Sequence, residues 1–539
     1  MRNYFYTIIL FLFSLPIWAQ QTCSIIPAPQ HVTAASGVFK LSDQTSITLG
    51  TPALKSAAQY IQQSLLRLRT ISLSIAPLGT KGSAIHLLLD AKQKPEAYIL
   101  DAEPEGITIA GGDEAGVING ISSLLQLAVA EPLTATGGID IPCWHITDQP
   151  TYGWRGLMLD ESRHFIGKEK LLSLIDWMAF YKLNRLHWHL TDEPAWRLEI
   201  RKYPKLALIG GVGDYQDPKK QTAYYSQQDV AEIVSYAAQR NITIIPEIDM
   251  PGHATAAIRA YPEYNGGGSA AHPDFTFDPA KDGTYTFLTH ILRETNTLFP
   301  SGMLHLGGDE VSFGTEKWNQ NLGIKKLMAD SGYKDLKDVE HYFMERMADS
   351  VYKMNAKLLA WDEMADIHLP PDKTIIFWWR HDQPNQLQKT LDKGYKTVVC
   401  PRLPFYFDFV QDSTHRSGRK WGNRFSSLKD VYQFNVHEWV HKKEQQAQIL
   451  GIQANLWTET VTNDNRLDYL LFPRMAALAE AAWSSDSEKD FNRFGKNLQK
   501  QFSLYREQNI YFYNPFNPSE IPEPIYFKKD RKDLNAKEN

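Results

Sequence analysis

The chain has 539 residues, enough for two or three domains of which one can be a large barrel. Its 57 Lys and Arg against 62 Asp and Glu give a net charge of −5, and no long run of one sign precedes the C-terminus, which argues against nucleic acid or an anionic membrane surface as partner. Three widely spaced cysteines, Cys23, Cys143 and Cys400, exclude a disulfide framework and a cysteine metal cluster, so the fold has to stand on its core.

In chain order, residues 1–20 have a basic start at Arg2, an apolar run from Tyr4 to about Trp18, and small Ala19 beyond it. That run is short for a membrane span and predicts a secretory signal peptide, hence a secreted or periplasmic protein. An uncleaved anchor is one alternative. A lipid-modified Cys23 is another, weakened by the poor processing context of Gln21-Thr22.

Residues 22–150 alternate β-like runs (Ser46–Leu49, Ile85–Leu89, Gly106–Ala110) with two predicted helices, around 53–68 and 113–129. Gly111-Gly112-Asp113 reads as a turn leading to an N-cap. A small α+β domain follows from this pattern, expected to brace what comes next rather than bind substrate.

From 151 to about 510 the pattern changes. Eight apolar runs of strand length appear, at Arg155–Asp160, Arg185–Leu190, Thr243–Asp249, Leu304–Glu310, Leu358–Glu363, Thr374–Arg380, Lys396–Arg402 and Ile452–Glu459, most followed by a segment of helical period. Eight alternations predict an α/β fold of the (β/α)8 TIM-barrel type; an open doubly wound sheet is disfavoured by the count and by the lack of a glycine-rich phosphate fingerprint. Residues 511–539 read as a docked extension followed by a charged, solvated tail.

Barrels of this kind carry their chemistry at the C-terminal strand ends. There the sequence places His187-Trp188-His189 with Asp192, Glu247 and Asp249 with His253, Asp309-Glu310, Trp361 with Asp362 and Glu363, Trp378-Trp379-Arg380, Tyr406 with Asp408, and Trp457-Thr458-Glu459. Carboxylates interleaved with Trp and Tyr suit a carbohydrate: acids bind hydroxyl pairs and flat aromatic faces stack on C–H faces. His187 and His189 share one strand face, as in some metal-dependent barrel hydrolases. No later histidines or lysine at strand ends complete a coordination shell, so a structural role is preferred and no metal or other cofactor is predicted. Asp160 with Arg163 reads as a structural pair.

The motifs Trp154-Arg155-Gly156-Leu157-Met158-Leu159-Asp160 with Ser162-Arg163-His164, His187-Trp188-His189-Leu190-Thr191-Asp192, Pro246-Glu247-Ile248-Asp249-Met250-Pro251-Gly252-His253, His305-Leu306-Gly307-Gly308-Asp309-Glu310 and Trp457-Thr458-Glu459 together resemble glycoside hydrolase family 20, the β-N-acetylhexosaminidases. The resemblance covers about residues 22–510. It implies an exo-acting, retaining enzyme that removes terminal β-linked GlcNAc or GalNAc from glycans, with the substrate's own acetamide as nucleophile. Glu310 would be the general acid and base, and Asp309 would accept the acetamide N–H and steer its carbonyl. Tyr406 would hold the acetamide oxygen, while Trp361, Trp378 and Trp457 would wall the pocket; of the adjacent Trp378 and Trp379, which point to opposite faces, Trp378 is placed inside. Arg155, Asp192 and Glu459 would bind sugar hydroxyls, although Arg155 stands at the start of its strand. Asp249 and His253 would form a relay beside Glu310. The competing readings are a chitinase-like barrel, whose Asp-x-Asp-x-Glu spacing is absent here, a metal-dependent barrel hydrolase, and a non-catalytic carbohydrate-binding barrel.

Overall fold

The computed structural model describes residues 23–524 apart from Lys81, so the signal-peptide reading of residues 1–20 and the charged tail lie outside the described residues. The N-terminal domain is one seven-stranded mixed sheet. In chain order its strands are β1 (His31–Leu41), β2 (Ser46–Leu49), β3 (Ser74–Ala76), β4 (Ala84–Leu89), β5 (Tyr98–Glu103), β6 (Gly106–Gly111) and β7 (Ile139–Asp148), arranged β1-β7-β5-β6-β4-β2-β3. Two helices, α1 (Lys55–Arg69) and α2 (Glu114–Ala130), accompany it. Asp113 caps α2 as its sequence position suggests, accepting the Gly116 amide at 2.8 Å.

The second domain is a closed barrel of eight parallel strands: β8 (Trp154–Asp160), β9 (Arg185–His189), β10 (Thr243–Glu247), β13 (Met303–His305), β14 (Lys357–Trp361), β15 (Thr374–Trp378), β16 (Lys396–Val399) and β17 (Ile449–Leu456), with β17 pairing back onto β8. A hairpin of β11 (Asn265–Gly267) and β12 (Thr276–Phe277) is inserted after β10. Each expected barrel strand is present; β8 ends at Asp160 as expected, and the other seven end earlier than their apolar runs, because the chain leaves the ladder just where the functional residues begin. Strand β13 is the extreme case. Its run was expected to reach Glu310, yet pairing stops at His305.

The barrel interior is filled by Met158, Ile245, Leu359, Phe377 and Val398, with Trp361 and Trp457 above them, so the tube is a packed core and not a pore. Residues of opposite parity, including Trp188, Leu358 and Trp378, join the larger outer core under the helices.

Arg155 shows how the two domains are joined. It is the second residue of β8 and is fully buried at the N-terminal end of the barrel. Its guanidinium makes a two-pronged contact with Glu96 of the N-terminal domain (2.8 and 3.1 Å) and donates to the carbonyls of Lys182 and Tyr152 (2.8 and 2.7 Å). Asn184 donates to the same Glu96 carboxylate at 3.0 Å. The expectation that Arg155 binds substrate is therefore corrected: a β8 of seven residues puts it at the opposite end of the barrel from the site. Since it braces the domains, Arg155→Met is expected to destabilise the protein by about 3 kcal/mol in chemical denaturation, the usual cost of stranding a buried partner charge. Turnover per folded molecule should be unchanged.

Candidate active site

A cavity of about 640 Å³ opens at the C-terminal mouth of the barrel. Asp309 and Glu310 both line it, together with His253, Tyr406, Trp457 and Glu459. How two adjacent acids come to share one pocket is a matter of backbone. After β13, Gly307 (φ +66°) and Gly308 (φ +89°) take left-handed conformations, and Glu310 itself has φ +52°. A Cβ on Gly307 would lie 1.8 Å from Asp249 Oδ1, so only glycine permits this close pass. The chain therefore turns between the strand and the acids, and strand alternation does not apply to them.

The two carboxyls differ in depth. The Asp309 side chain is 11% exposed and the Glu310 side chain 36%, so aspartate lies at the bottom and glutamate at the mouth. His253 stands between them, its Nε2 3.8 Å from Asp309 Oδ2 and 3.7 Å from Glu310 Oε2. Asp309 Oδ1 is buried with no hydrogen-bond partner among the described residues. Burial lifts the Asp309 carboxyl to about 8, with His253 pulling it down and Glu310 and Glu363 pushing it up. Burial also raises Glu310, against the pull of His253. Both acids therefore hold their protons to higher pH than free carboxyls do.

His253 is held by Asp192, whose Oδ1 lies 3.0 Å from Nδ1. Burial opposes the imidazolium, but Asp192 and Asp249 outweigh it, and the ring's pKa stands well above that of a free histidine. Asp192 is itself saturated: its other oxygen meets Arg163 at 2.7 Å and His189 Nε2 at 3.0 Å. Arg163 lies over Trp457 at 5.0 Å and reaches the cavity, where Glu459 pairs with Arg419 at 3.2 Å. Burial disfavours the Glu459 anion, yet Arg419 and Arg163 hold it below the ordinary glutamate range. Its Oε2 has no hydrogen-bond partner among the described residues. Trp379 and Tyr406 stack with an interplanar angle of 11° on the other wall.

Beneath the cavity Glu247 accepts hydrogen bonds from His189 Nδ1 and from Trp361 Nε1 at 2.9 Å, and lies 3.0 Å from His187 Nε2 and 2.9 Å from His305 Nδ1, the latter nitrogen accepting the Gly307 amide at 3.1 Å. Burial opposes this carboxylate, but the histidines outweigh it and keep it ionised. Burial and His305 lower His187 to about 4. His187, Glu247 and His305 have ligand atoms within 4.8 Å of one another, while the Glu247 carboxylate already accepts hydrogen bonds from His189 and Trp361.

The catalytic-domain profile of glycosyl hydrolase family 20 matches residues 152–486, and the profile of that family's domain 2 matches residues 22–149. The chain belongs to glycosyl hydrolase family 20. Among similar proteins, a beta-hexosaminidase of Porphyromonas gingivalis is 33% identical over 490 residues, covering 88% of this chain and 62% of that relative, so this chain spans less than two thirds of its length. The GH20 exo-β-N-acetylglucosaminidase of Vibrio harveyi in complex with N-acetylglucosamine superposes with a TM-score of 0.84 at 30% identity, covering 92% of this chain and 79% of that one. The β-N-acetylhexosaminidase of Bacteroides fragilis gives 0.78 at 30% identity, over 90% and 96% of the two chains.

Within this family 20 barrel, several expected residues sit elsewhere than the sequence reading put them. Trp378 points outward against Trp439 (4.9 Å between rings), and Trp379 takes the cavity wall, because Phe377 fills the barrel interior and the strand alternates. Asp192 does not face the cavity; it anchors Arg163, His189 and His253. Asp249 does not hydrogen-bond His253 and instead accepts the Gly308 amide at 3.3 Å, with its carboxyl raised by burial and by Asp309. Trp361 lies one layer below, packed on Trp457 at 6.1 Å. Trp379 is thus the one of the two adjacent indoles that lines the cavity, Arg163 pairs with Asp160 as expected and also reaches the cavity, and Arg419 is a lining residue that no sequence pattern marked. For Arg163 the signal was available: it follows the C-terminal end of the first barrel strand, where site residues are expected.

Proposed function

We propose that this protein is an exo-acting, retaining β-N-acetylhexosaminidase that removes terminal β-linked GlcNAc or GalNAc by substrate-assisted catalysis. The observation that carries the mechanism is the unpartnered, buried Asp309 Oδ1 at the bottom of the pocket with Glu310 at its mouth. A terminal sugar inserted with its 2-acetamido group downward offers its N–H to Asp309. That hydrogen bond favours the aspartate anion, while burial keeps a proton on Glu310, next to the glycosidic oxygen. The acetamide oxygen attacks C1 while Glu310 protonates the departing oxygen, and Asp309 stabilises the positive charge growing on the amide nitrogen. Water then adds to C1 of the oxazolinium ion, and Glu310 takes its proton. Two inversions give retention. Tyr406, Trp379 and Trp457 enclose the amide and keep bulk water out, while Arg163 and the free oxygen of Glu459 receive the sugar hydroxyls. The family membership and the Vibrio harveyi neighbour, solved with N-acetylglucosamine, support this reading. We further propose a secreted or periplasmic location, supported by the leader-like first residues.

Chromogenic β-GlcNAc, β-GalNAc and β-glucose glycosides, compared with and without EDTA, test it. Cleavage of the first two alone, unaffected by the chelator, is expected. Equal turnover of the glucoside would sink the substrate-assisted step, and loss of activity with EDTA would favour a metal held by His187, Glu247 and His305 instead.

A further inference from the structure

Glu310 heads a single 3-10 turn, Val311–Gly314, and its backbone carbonyl accepts the Phe313 amide at 3.0 Å. Phe313 is 43% exposed, an unusual state for a large apolar ring, and it lines the same cavity as the acids. His272 stacks on it at 5.7 Å with a 23° interplanar angle, and Glu193 fixes that imidazole with its two oxygens 3.0 and 3.2 Å from Nδ1. Glu193 follows Asp192 directly, so the group is built from the loops after β9, β10 and β13. Underneath, Phe275 packs against both His272 (5.3 Å) and His253 (4.8 Å), tying the surface group to the imidazole beside Glu310. Arg163 and Glu459 line the same cavity and, in the proposed reaction, serve the hydroxyls of the terminal sugar.

Resting on the hydrolase reading above, we propose that Phe313, His272 and Glu193 form the subsite for the leaving group, and that it takes a neutral sugar residue. A glycosidic oxygen protonated by Glu310 places the leaving group on the mouth side of that carboxyl, over the turn that carries Phe313. A flat exposed ring offers a stacking face for pyranose C–H groups, and the Glu193–His272 pair offers an acceptor and a polar edge to its hydroxyls. The Glu193 carboxylate disfavours an acidic sugar in the same place.

The test compares kcat/KM for three substrates on the full-length protein: the β-1,4-linked GlcNAc disaccharide, the β-methyl glycoside of GlcNAc, and a disaccharide with glucuronic acid as the leaving sugar. Phe313→Ala is expected to lower the rate on the neutral disaccharide about tenfold, as loss of one stacking partner does, and to affect the methyl glycoside far less. Phe313→Tyr should restore the disaccharide rate. The parent should prefer the neutral disaccharide to the acidic one, and Glu193→Gln should narrow that gap. An equal fall on disaccharide and methyl glycoside, or no fall on either, overturns the subsite while leaving the hydrolase reading intact. Failure of the parent to cleave any of the three overturns that reading and the subsite with it.

Discussion

Glu310→Gln is expected to lower kcat/KM on a GlcNAc disaccharide by about 10²- to 10⁴-fold, the usual contribution of a positioned general acid. The amide keeps the shape of the acid, so substrate should still bind and KM should change little. The loss should shrink for an aryl glycoside whose leaving phenol is acidic, because such an oxygen departs without a proton. A merely structural defect would reduce both substrates alike. The pH profile is a second check. Burial holds the Glu310 proton to higher pH than an ordinary glutamate, against the pull of His253. Activity needs that proton, so kcat/KM should persist through the usual carboxylate range and fall on the alkaline side. The residual activity of Glu310→Gln should lack that fall.

The features that the sequence reveals and hides follow from what each residue's neighbours constrain. Barrel strands are buried on both faces, so runs such as Thr374-Ile375-Ile376-Phe377-Trp378 are apolar throughout and easy to see. For the same reason their parity is invisible: nothing in Trp378-Trp379 says which indole turns inward until Phe377 is known to fill the tube. The N-terminal sheet suffers the reverse problem. Eight of the eleven residues of β1 are exposed, and its register with β7 shifts between Ala34 and Val38, so no clean alternation marks it. Arg155 lies near the start of β8 and Arg163 just beyond its end, and chemistry alone does not tell which end faces the mouth; strand length does. His253 lies four residues from Asp249 in sequence, yet the turn through Pro251 and Gly252 delivers its ring to Asp192, sixty-one positions away. Loops decide such partners, and loops are where pattern reading is weakest.

The same reasoning makes Asp309→Asn the sharper test of the substrate's role as nucleophile. A loss of about 10²- to 10³-fold in kcat is expected, comparable to removing one preorganised electrostatic partner from a transition state. Asparagine can still accept the acetamide N–H through its carbonyl oxygen, but it brings no negative charge to the amide nitrogen as the oxazolinium forms. It also removes the acidic neighbour with which Glu310 interacts electrostatically. Relieved of that like-charged neighbour, Glu310 should ionise more readily, and the alkaline fall of kcat/KM should move to lower pH. Had Asp309 been an ordinary nucleophile, the aspartate form would accumulate a covalent glycosyl adduct when a slow-turnover, activated substrate is mixed with the protein. Mass spectrometry of that mixture should find none on any side chain. An adduct on Asp309 would assign the attack on C1 to the polypeptide and would leave the paired glycines at 307 and 308 with a different purpose, that of presenting a nucleophile instead of an amide-binding anion.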